Sequence, residues 1–213
     1  MKILVACEFS GKVRRAFRRH GHDAWSCDLL ESEDESEHHI VGDVRPLLNE
    51  GWDMLVAFPP CTYLSRAGAR WLYPKGQLNG ERYVKLLEAR KFFFDLWEAP
   101  IEKICIENPT PFKIAELPQF SQVIQPWMFG DPYTKRTLLW LKNLPELIPS
   151  NPVEPIAPWM PSNAGGARRG QKTHKGTAKN WKQAATTFDG IAAAMGNQWS
   201  SPLRQMTIEE WMI

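Results

Sequence analysis

A cysteine directly behind a proline pair is the first residue of this chain with the potential for chemistry. In "LVAFPPCTYLS", residues 55 to 65, four apolar residues precede Pro59, Pro60 and Cys61. The two prolines fix φ and remove two N–H donors, so the loop after this predicted buried strand is rigid. A thiol on such a loop can serve as a nucleophile, but a free cysteine is more often a small buried hydrophobe. The spacing alone favours the second interpretation.

A carboxylate that follows another predicted strand favours the catalytic interpretation of Cys61. "ICIENP" places Glu107 and Asn108 directly after an apolar stretch. A charge there is tolerable only with a ligand, a buried partner or a helix to cap, because an unpaired buried carboxylate is costly. The alternative is a Glu-Asn-Pro turn that caps the next helix.

Two further features stand at predicted strand ends. Asp28 ends a second strand, a position from which an acidic residue commonly binds the ribose of a nucleoside cofactor. Asp43 follows at the next such position, and Gly11 allows a backbone turn to approach a ligand closely. No Gly-x-Gly-x-x-Gly sequence and no P-loop is present.

The elements that would position these residues alternate between strands and helices. "KILVAC", "DAWSCD", "GWDMLVAF" and "KICIEN" predict buried strands, while residues 8–22 and 80–99 have helical character. This alternation predicts a mostly parallel sheet with helices on both faces. "DPYTKRTLLWLKNLP" predicts a strand or hairpin, residues 145 to 162 contain six prolines and predict a loop, and "DGIAAAMGNQW" predicts a short helix.

Bulk properties narrow the class of protein. A chain of 213 residues fits one sizeable domain, and no apolar run approaches the roughly 20 residues of a membrane span. The four cysteines form no CxxC pair, so free thiols and a cytoplasmic location are expected. His38 and His39 lack two further ligands at suitable spacing, so no metal site is predicted.

The quoted stretches resemble, in order, the sequence elements of the cytosine-C5 DNA methyltransferases. "FPPCTY" resembles the Pro-Cys catalytic loop and "IENP" the Glu-Asn-Val element, while "CDL" at 27–29 and "GDV" at 42–44 stand where the second and third cofactor-binding elements are. "TKRTLLWL" is similar to the basic strand and "AMGNQW" to the terminal Gly-Asn helix. The resemblance covers most of residues 1–145 and 188–199. It implies an α/β, Rossmann-like S-adenosylmethionine-dependent methyltransferase fold.

The resemblance also implies a role for each matching residue. Cys61 would add to C6 of cytosine and activate C5, and Glu107 would hydrogen-bond or protonate the base at N3. Asn108 and Arg136 would orient the base or its phosphate, with the target nucleotide single-stranded or flipped out of a duplex. The implied cofactor is S-adenosylmethionine, with Asp28 on its ribose, Asp43 near its adenine and Asn197 closing the pocket. Its full set of expected contacts is Phe9, Ser10, Gly11, Asp28, Asp43, Pro59 and Asn197.

Charge is unevenly distributed along the chain. Residues 157–187 contain no acidic residue but six cations, some of which are predicted with Lys135 to bind nucleic acid: Arg168, Arg169, Lys172, Lys175 and Lys179. The alternative for this segment is a solvated loop. The arginines of the first helix (Arg14, Arg15, Arg18 and Arg19) are predicted to form a solvated face, and the acidic run 31–37 a loop kept in water.

This pattern predicts three segments and leaves three functions open. Residues 1–145 would form the catalytic and cofactor-binding domain, residues 146–187 a Pro-rich, basic insertion for target recognition, and residues 188–213 a C-terminal helix returning to the catalytic domain. The first function is DNA cytosine-C5 methylation by a compact enzyme of the phage type. The second is modification of pyrimidine C5 on free nucleotides, which the short recognition segment favours. The third is a non-catalytic protein that binds nucleic acid or a nucleotide, because Gly11 stands alone where the family has several glycines.

Overall fold

The computed structural model of the protein describes residues 1–159 and 185–200. The strands in this part of the chain are β1 (Lys2–Ala6), β2 (Asp23–Asp28), β3 (His39–Val41), β4 (Met54–Ala57), β5 (Lys103–Asn108), β6 (Gln122–Ile124), β7 (Tyr133–Thr134), β8 (Thr137–Lys142) and β9 (Ala157–Pro158). The α-helices are α1 (Lys12–Arg19), α2 (Ala69–Leu72), α3 (Gly80–Trp97) and α4 (Asp189–Ser200). Short 3-10 turns lie at Arg45–Asn49, Arg66–Gly68, Pro74–Gly76, Lys113–Ala115 and Pro126–Met128.

Within the described residues, seven strands form one twisted sheet in the order β3-β2-β1-β4-β5-β8-β6. The first five of these are parallel to their neighbours, whereas β8 runs antiparallel to both β5 and β6. This order, with its single reversed strand near one edge, confirms the predicted α/β, Rossmann-like fold, a mostly parallel sheet with helices on both faces. β7 and β9 pair separately.

Apolar side chains fill both faces of the sheet. On one face, Val13 and Phe17 of α1 pack with Met195 of α4 against alternate residues of β1 and β4. On the other face, Leu86 and Phe93 of α3 belong to the core that includes the opposite residues of the same strands. Burial on both sides explains why the central strands are continuously apolar rather than alternating in polarity.

The strand order also determines where a ligand can bind. The chain builds β1, β2 and β3 outwards in one direction and then crosses to place β4 on the other side of β1. In open α/β sheets the crevice at such a switch point, at the carboxyl ends of the strands, is the usual ligand site. The loops that follow β1, β2, β4 and β5 all meet at this edge.

Candidate active site

The loop after β4 is held in place by the residue that ends β5. The side-chain Nδ2 of Asn108 donates a hydrogen bond of 3.0 Å to the carbonyl of Pro59. The carbonyl of Cys61 then accepts bonds from the N–H groups of Leu64 and Ser65, which closes a turn around the half-buried thiol. The proline pair is therefore fixed by a buried amide as well as by its own rings.

The loop after β5 runs alongside this turn. The N–H of Arg66 donates to the carbonyl of Thr110 at 3.0 Å, and Phe112 N–H donates to the carbonyl of Leu64 at 2.8 Å. Ser65 and Pro111 form an antiparallel bridge between the same two loops. Cys61 and Glu107 are thereby carried by two segments that are hydrogen-bonded to each other.

Cys61, Glu107 and Lys135 influence one another electrostatically. Burial raises the pKa of the Cys61 thiol, and the negative charge of Glu107 raises it further, while Lys135 opposes both effects. Burial likewise raises the pKa of Glu107, and Lys135 again acts in the opposite direction. Ionisation of one of the two groups therefore opposes ionisation of the other, and the positive charge of Lys135 favours the charged form of each.

Asn108 has an unused acceptor. Its side chain is fully buried, and its Oδ1 has no hydrogen-bond partner among the described residues. A buried oxygen without a donor is costly, which makes it a candidate to receive an N–H or O–H from a ligand.

The two cations before β8 occupy different positions. Because β8 is antiparallel to β5, its first residues stand beside the end of β5, where Glu107 and Asn108 are paired with Leu139 and Leu138. Lys135 is the cation that acts on both Cys61 and Glu107. Arg136 instead donates from Nε to Thr110 Oγ1 at 3.3 Å, at the neighbouring loop.

A cavity of about 320 Å³ opens at the carboxyl ends of β1, β2 and β3. Its lining includes the apolar side chains of Val44 and Phe92 together with Asp28, Asp43 and Pro60. Its volume is at the lower end of the range for small-molecule sites, and the carboxylates supply acceptors for hydroxyl groups. The residues present therefore fit the nucleoside part of S-adenosylmethionine.

Charges around this cavity are already partly compensated. Asp43 is hydrogen-bonded by the Arg45 side chain, which lowers the pKa of that carboxyl. Asp28 Oδ1 accepts the N–H of Leu30 at 2.9 Å. Burial, assisted by Asp28, raises the pKa of Cys27 to about 11 and that of Cys7 further, so both thiols line the cavity in their neutral form.

The loop after β1 differs from the expectation for a cofactor loop. Glu8 is buried, and its carboxylate accepts the N–H groups of Val13 and Arg14 at 2.6 and 3.2 Å, so it occupies the positive N-terminal end of α1. Those two amides are not available to the carboxylate of a cofactor. Phe9 and Ser10 are also buried and border a space of only about 10 Å³.

Gly11 is explained by packing within the protein. It precedes α1 with a left-handed φ of 66°, and a Cβ at this position would lie 2.8 Å from Asp34 Oδ2. A side chain is therefore excluded by both the backbone conformation and the loop above it. The positive φ of Gly11 therefore has an explanation within the protein that does not require a ligand.

Two other expected cofactor contacts, Pro59 and Asn197, are not among the residues that line the cavity at the carboxyl edge. Pro59 is buried beneath Asn108, and the neighbouring Pro60 lines the cavity in its place. Asn197 lies near the end of α4 and its Oδ1 is 2.8 Å from Nε2 of His20, which follows the C-terminal end of α1. Since α1 runs back from the carboxyl edge, this contact is at the opposite edge of the sheet.

The sequence predicted that the arginines of α1 and the acidic run are both solvated and independent of each other. This prediction is wrong for Arg14 and Asp34, which form an ion pair, whereas Arg18 and Arg19 are exposed. Arg14 is 1% exposed, donates to Ser26 Oγ at 2.7 Å and forms an ion pair with Asp34. Arg15 pairs with the same carboxylate. The acidic run therefore folds over α1 because Asp34 neutralises two arginines.

A larger cavity, about 810 Å³, lies at the edge of the sheet remote from these residues, against Met1, His22 and Trp199. It has no cysteine and only Glu102 as a carboxylate among its lining residues. The predicted basic residues Arg168, Arg169, Lys172, Lys175 and Lys179 lie outside the described residues. Among the helices that the structure describes, none is long and apolar enough to cross a bilayer.

Comparison with known proteins yields distant structural neighbours only. No family model and no curated protein matches the chain. One solved structure, described as a DNA modification methyltransferase encoded within a prophage (E. coli), is 13% identical with a TM-score of 0.43 over 71% of this chain and 52% of its own. A variant of Spodoptera frugiperda DNMT2 is 16% identical with a TM-score of 0.38 over 74% of this chain and 57% of its own. The chain thus spans little more than half the length of either neighbour.

Proposed function

We propose that this protein is an S-adenosylmethionine-dependent methyltransferase that methylates C5 of cytosine in DNA, with Cys61 as the nucleophile. The observation that carries the proposal is the electrostatic coupling of Cys61 with Glu107, near the end of β5, and with Lys135, just before β8. The loop that carries Cys61 is hydrogen-bonded to the loop that follows Glu107. The cavity of about 320 Å³, which we call the nucleoside-sized cavity, adjoins the Cys61 loop, because Pro60 is one of its lining residues.

The chemistry requires a nucleophile and an acid that face one base. C5 of cytosine is a poor nucleophile, so Cys61 adds to C6, the S–C6 bond forms and the electrons of the C5–C6 double bond become available at C5. Glu107 in its neutral form donates a proton to N3, which stabilises the charge that develops on the ring. C5 then takes the methyl group that S-adenosylmethionine would supply, and the donor would leave as its demethylated thioether. Loss of the C5 proton to water and cleavage of the S–C6 bond release Cys61 as a thiolate, and return of the N3 proton to Glu107 restores the aromatic base.

The raised pKa of Glu107 and its effect on the Cys61 thiol agree with the roles of acid and nucleophile. Burial keeps Glu107 protonated to higher pH than a free glutamate, so it is able to act as the acid. Once Glu107 is neutral, its Coulombic opposition to the Cys61 thiolate disappears, and Lys135 stabilises the thiolate. Asn108 would hold the Cys61 loop through its bond to Pro59, and its Oδ1, which has no partner among the described residues, would accept an N–H of the base.

The cofactor would occupy the cavity beside this cluster. S-adenosylmethionine, when bound, supplies an electrophilic methyl group. Asp28 and Asp43 would accept hydroxyl or amino groups of the nucleoside, and Val44 and Phe92 would cover its apolar surface. Phe9 and Ser10 would be further contacts of the cofactor, next to the N-terminus of α1 that Glu8 already fills.

The decisive experiment measures methyl transfer from tritium-labelled S-adenosylmethionine. Unmethylated DNA and free dCMP are tested in parallel with wild-type protein, Cys61→Ala, and Cys105→Ala as a control that removes a buried thiol from β5. We expect label in DNA cytosine with wild type and Cys105→Ala, and none with Cys61→Ala. An oligonucleotide containing 5-fluorocytosine should form a covalent complex through Cys61, because fluorine cannot leave C5 as a proton does.

The other outcomes point to the remaining functions. Label in dCMP alone would identify an enzyme that acts on free nucleotides. Absence of transfer to either substrate, together with no cofactor binding by calorimetry, would contradict catalysis. It would favour a binding protein in which the Glu8 carboxylate has taken the place of a cofactor group.

A further inference from the structure

The loops that carry Cys61 and Glu107 continue into a second cavity of about 520 Å³. We call it the Arg66 pocket, after one of its lining residues; others are Tyr73, Thr110, Phe112 and Lys113. It shares no lining residue with the nucleoside-sized cavity. It is therefore a separate site, which neither the nucleophile nor the cofactor requires.

The Arg66 pocket is connected to the catalytic residues by the backbone itself. Arg66 N–H bonds to the Thr110 carbonyl, and these residues follow Cys61 and Glu107 closely along their loops. Arg136 Nε bonds to Thr110 Oγ1, so a third cation stands at the border of the pocket. A ligand in the Arg66 pocket would lie beside whatever occupies the crevice of Cys61 and Glu107.

The lining has the composition of a site for a nucleotide within a strand. None of the described residues that line it is acidic, whereas Arg66 and Lys113 are exposed cations. Tyr73 is 41% exposed and Phe112 is half-buried, so both rings are accessible. Cations neutralise phosphates, and aromatic rings stack on bases without requiring a particular sequence.

The same composition extends across the surface that follows Cys61. Residues 61–85 contain five cations and one acidic residue. Arg70 lies over the exposed ring of Trp71 at 4.8 Å, and Arg82 lies over Tyr63 at 4.9 Å while its Nη2 donates to the carbonyl of Thr62. Rings already stacked with guanidinium groups are ordered surfaces for further stacking.

From these observations we infer that the Arg66 pocket binds the nucleotide adjacent to the target cytosine, with Arg66 and Lys113 on its phosphate and Tyr73 or Phe112 against its base. The inference deepens the proposed function and rests on it in one respect, that a cytosine occupies the neighbouring crevice. It specifies a polynucleotide strand, rather than a free nucleotide, as the substrate.

The test measures binding without cofactor, so that it does not depend on catalysis. Fluorescence anisotropy with a labelled 12-nucleotide single strand containing one cytosine gives the Kd, and unlabelled dCMP is tested as a competitor. Arg66→Ala is compared with Arg19→Ala, which removes an exposed cation near the C-terminal end of α1. Tyr73→Ala is compared with Tyr73→Phe, which keeps the ring.

We expect Arg66→Ala to weaken strand binding severalfold and to reduce the slope of log Kd against log salt by about 0.7, the value for one phosphate contact on a single strand. Tyr73→Ala should weaken binding on the order of 10-fold, as for loss of one stacked base. Arg19→Ala and Tyr73→Phe should bind like wild type, and competition by dCMP should be unchanged in all variants.

Equal strand binding by Arg66→Ala and Arg19→Ala, or equal losses for the strand and for dCMP, would overturn the inference. So would a wild-type protein that binds no strand. Selective loss of strand binding in a protein that transfers no methyl group would support the Arg66 pocket while the proposed reaction fails. The two proposals are thus tested separately.

Discussion

At the scale of single residues, the chemistry of the candidate active site depends on whether Cys61 or Glu107 carries the negative charge. Burial disfavours the charged forms of Cys61 and Glu107, and the positive charge of Lys135 lowers the pKa of both groups in opposition to burial. The free-energy cost of ionising one depends on whether the other is already ionised. A measurement on the thiol therefore reports the state of the carboxyl.

We predict that Glu107→Gln lowers the pKa of the Cys61 thiol. The substitution removes the negative charge that raises this pKa and leaves Lys135 in place, so the thiolate forms at lower pH. Lys135→Met should have the opposite effect, because it removes the cation. The check is the pH dependence of alkylation of Cys61 by iodoacetamide, quantified for each cysteine by mass spectrometry.

Cys27 provides an internal control in the same experiment. Its pKa of about 11 results from burial, Asp28 and Asp43, and Glu107 is not among the causes. Because Cys27 is buried, its alkylation should be slow, and equally slow in all three proteins. An unchanged Cys61 profile in Glu107→Gln would show that the two side chains are not coupled, and the proposed acid–nucleophile pair would fail.

The sequence allowed some of these residues to be identified and not others. Cys61 and Glu107 follow continuous apolar runs, so their place at strand ends could be predicted from the pattern alone. Lys135 and Arg136 are neighbours before a reversed strand, and only the tertiary structure shows that Lys135 acts on the crevice while Arg136 bonds to Thr110. Gly11 was misleading because its positive φ serves a helix start and a loop contact.

At the scale of elements, α1 is fixed at both sides of its first turn by carboxylates from elsewhere. Glu8 accepts its N-terminal amides, and Asp34 binds the side chains of Arg14 and Arg15. A fully buried guanidinium is stable only while its partner is present, because an unpaired buried charge is strongly unfavourable. The acidic loop is consequently held against α1 through Asp34, although most of its residues are exposed.

We predict that Asp34→Ala destabilises the protein by about 3 kcal/mol, the cost of leaving a buried charge without its partner. The free energy of unfolding in urea is the measurement. Asp95→Ala is the matched control, since it breaks the exposed pair with Lys91 and should cost only about 0.3–0.5 kcal/mol. Equal effects of the two substitutions would contradict the account of Arg14.

The same pair has a predictable pH dependence. Burial raises the pKa of Asp34, but hydrogen bonds from Arg14, Ser32 and Arg15 together outweigh it and hold the pKa below its ordinary value. A depressed pKa in the folded state adds stability above the unfolded pKa of about 4, and this stability is lost as the pH falls below that value. Asp34→Ala should therefore lose less stability on acidification than wild type.

Elements with strong local patterns were predictable, and those that depend on distant partners were not. The bounds of β2 and β5 agree with the predicted "DAWSCD" and "KICIEN", since each is a buried strand with polar ends. β3 and β6 are three-residue strands at the sheet edges and have no apolar run to mark them. The ion pairs of the acidic loop join residues about 20 positions apart, which no local period encodes.

At the scale of the whole molecule, the sheet order brings two cavities and the Cys61 thiol to one edge of the sheet. The nucleoside-sized cavity includes Pro60, the Arg66 pocket includes Arg66, and Cys61 stands between them in the chain. A cofactor and a strand could then approach the same thiol from neighbouring sites. The α4 contacts at the opposite edge, including Asn197 with His20, stabilise the sheet without entering this crevice.

This separation of edges leads to a prediction about cofactor binding. A ligand that binds only the folded state at 100 times its Kd stabilises the protein by about 2.7 kcal/mol, which corresponds to a rise in Tm of about 5 to 10 °C for a domain of this size. S-adenosylmethionine should produce such a rise in wild type. Asp28→Asn keeps an acceptor for Leu30 N–H but weakens charge-assisted bonds to ribose hydroxyls, so the rise at the same concentration should fall by about half.

Asn197→Ala is the control that distinguishes the two edges. It removes the bond to His20, so the Tm of the free protein should decrease slightly, while the rise caused by S-adenosylmethionine should be unchanged. A rise that depends on Asn197 and not on Asp28 would move the cofactor to the far edge, beside the larger cavity. Because Cys61 lies at the carboxyl edge, that result would place the methyl donor far from the nucleophile. It would exclude direct methyl transfer to a base bound to Cys61.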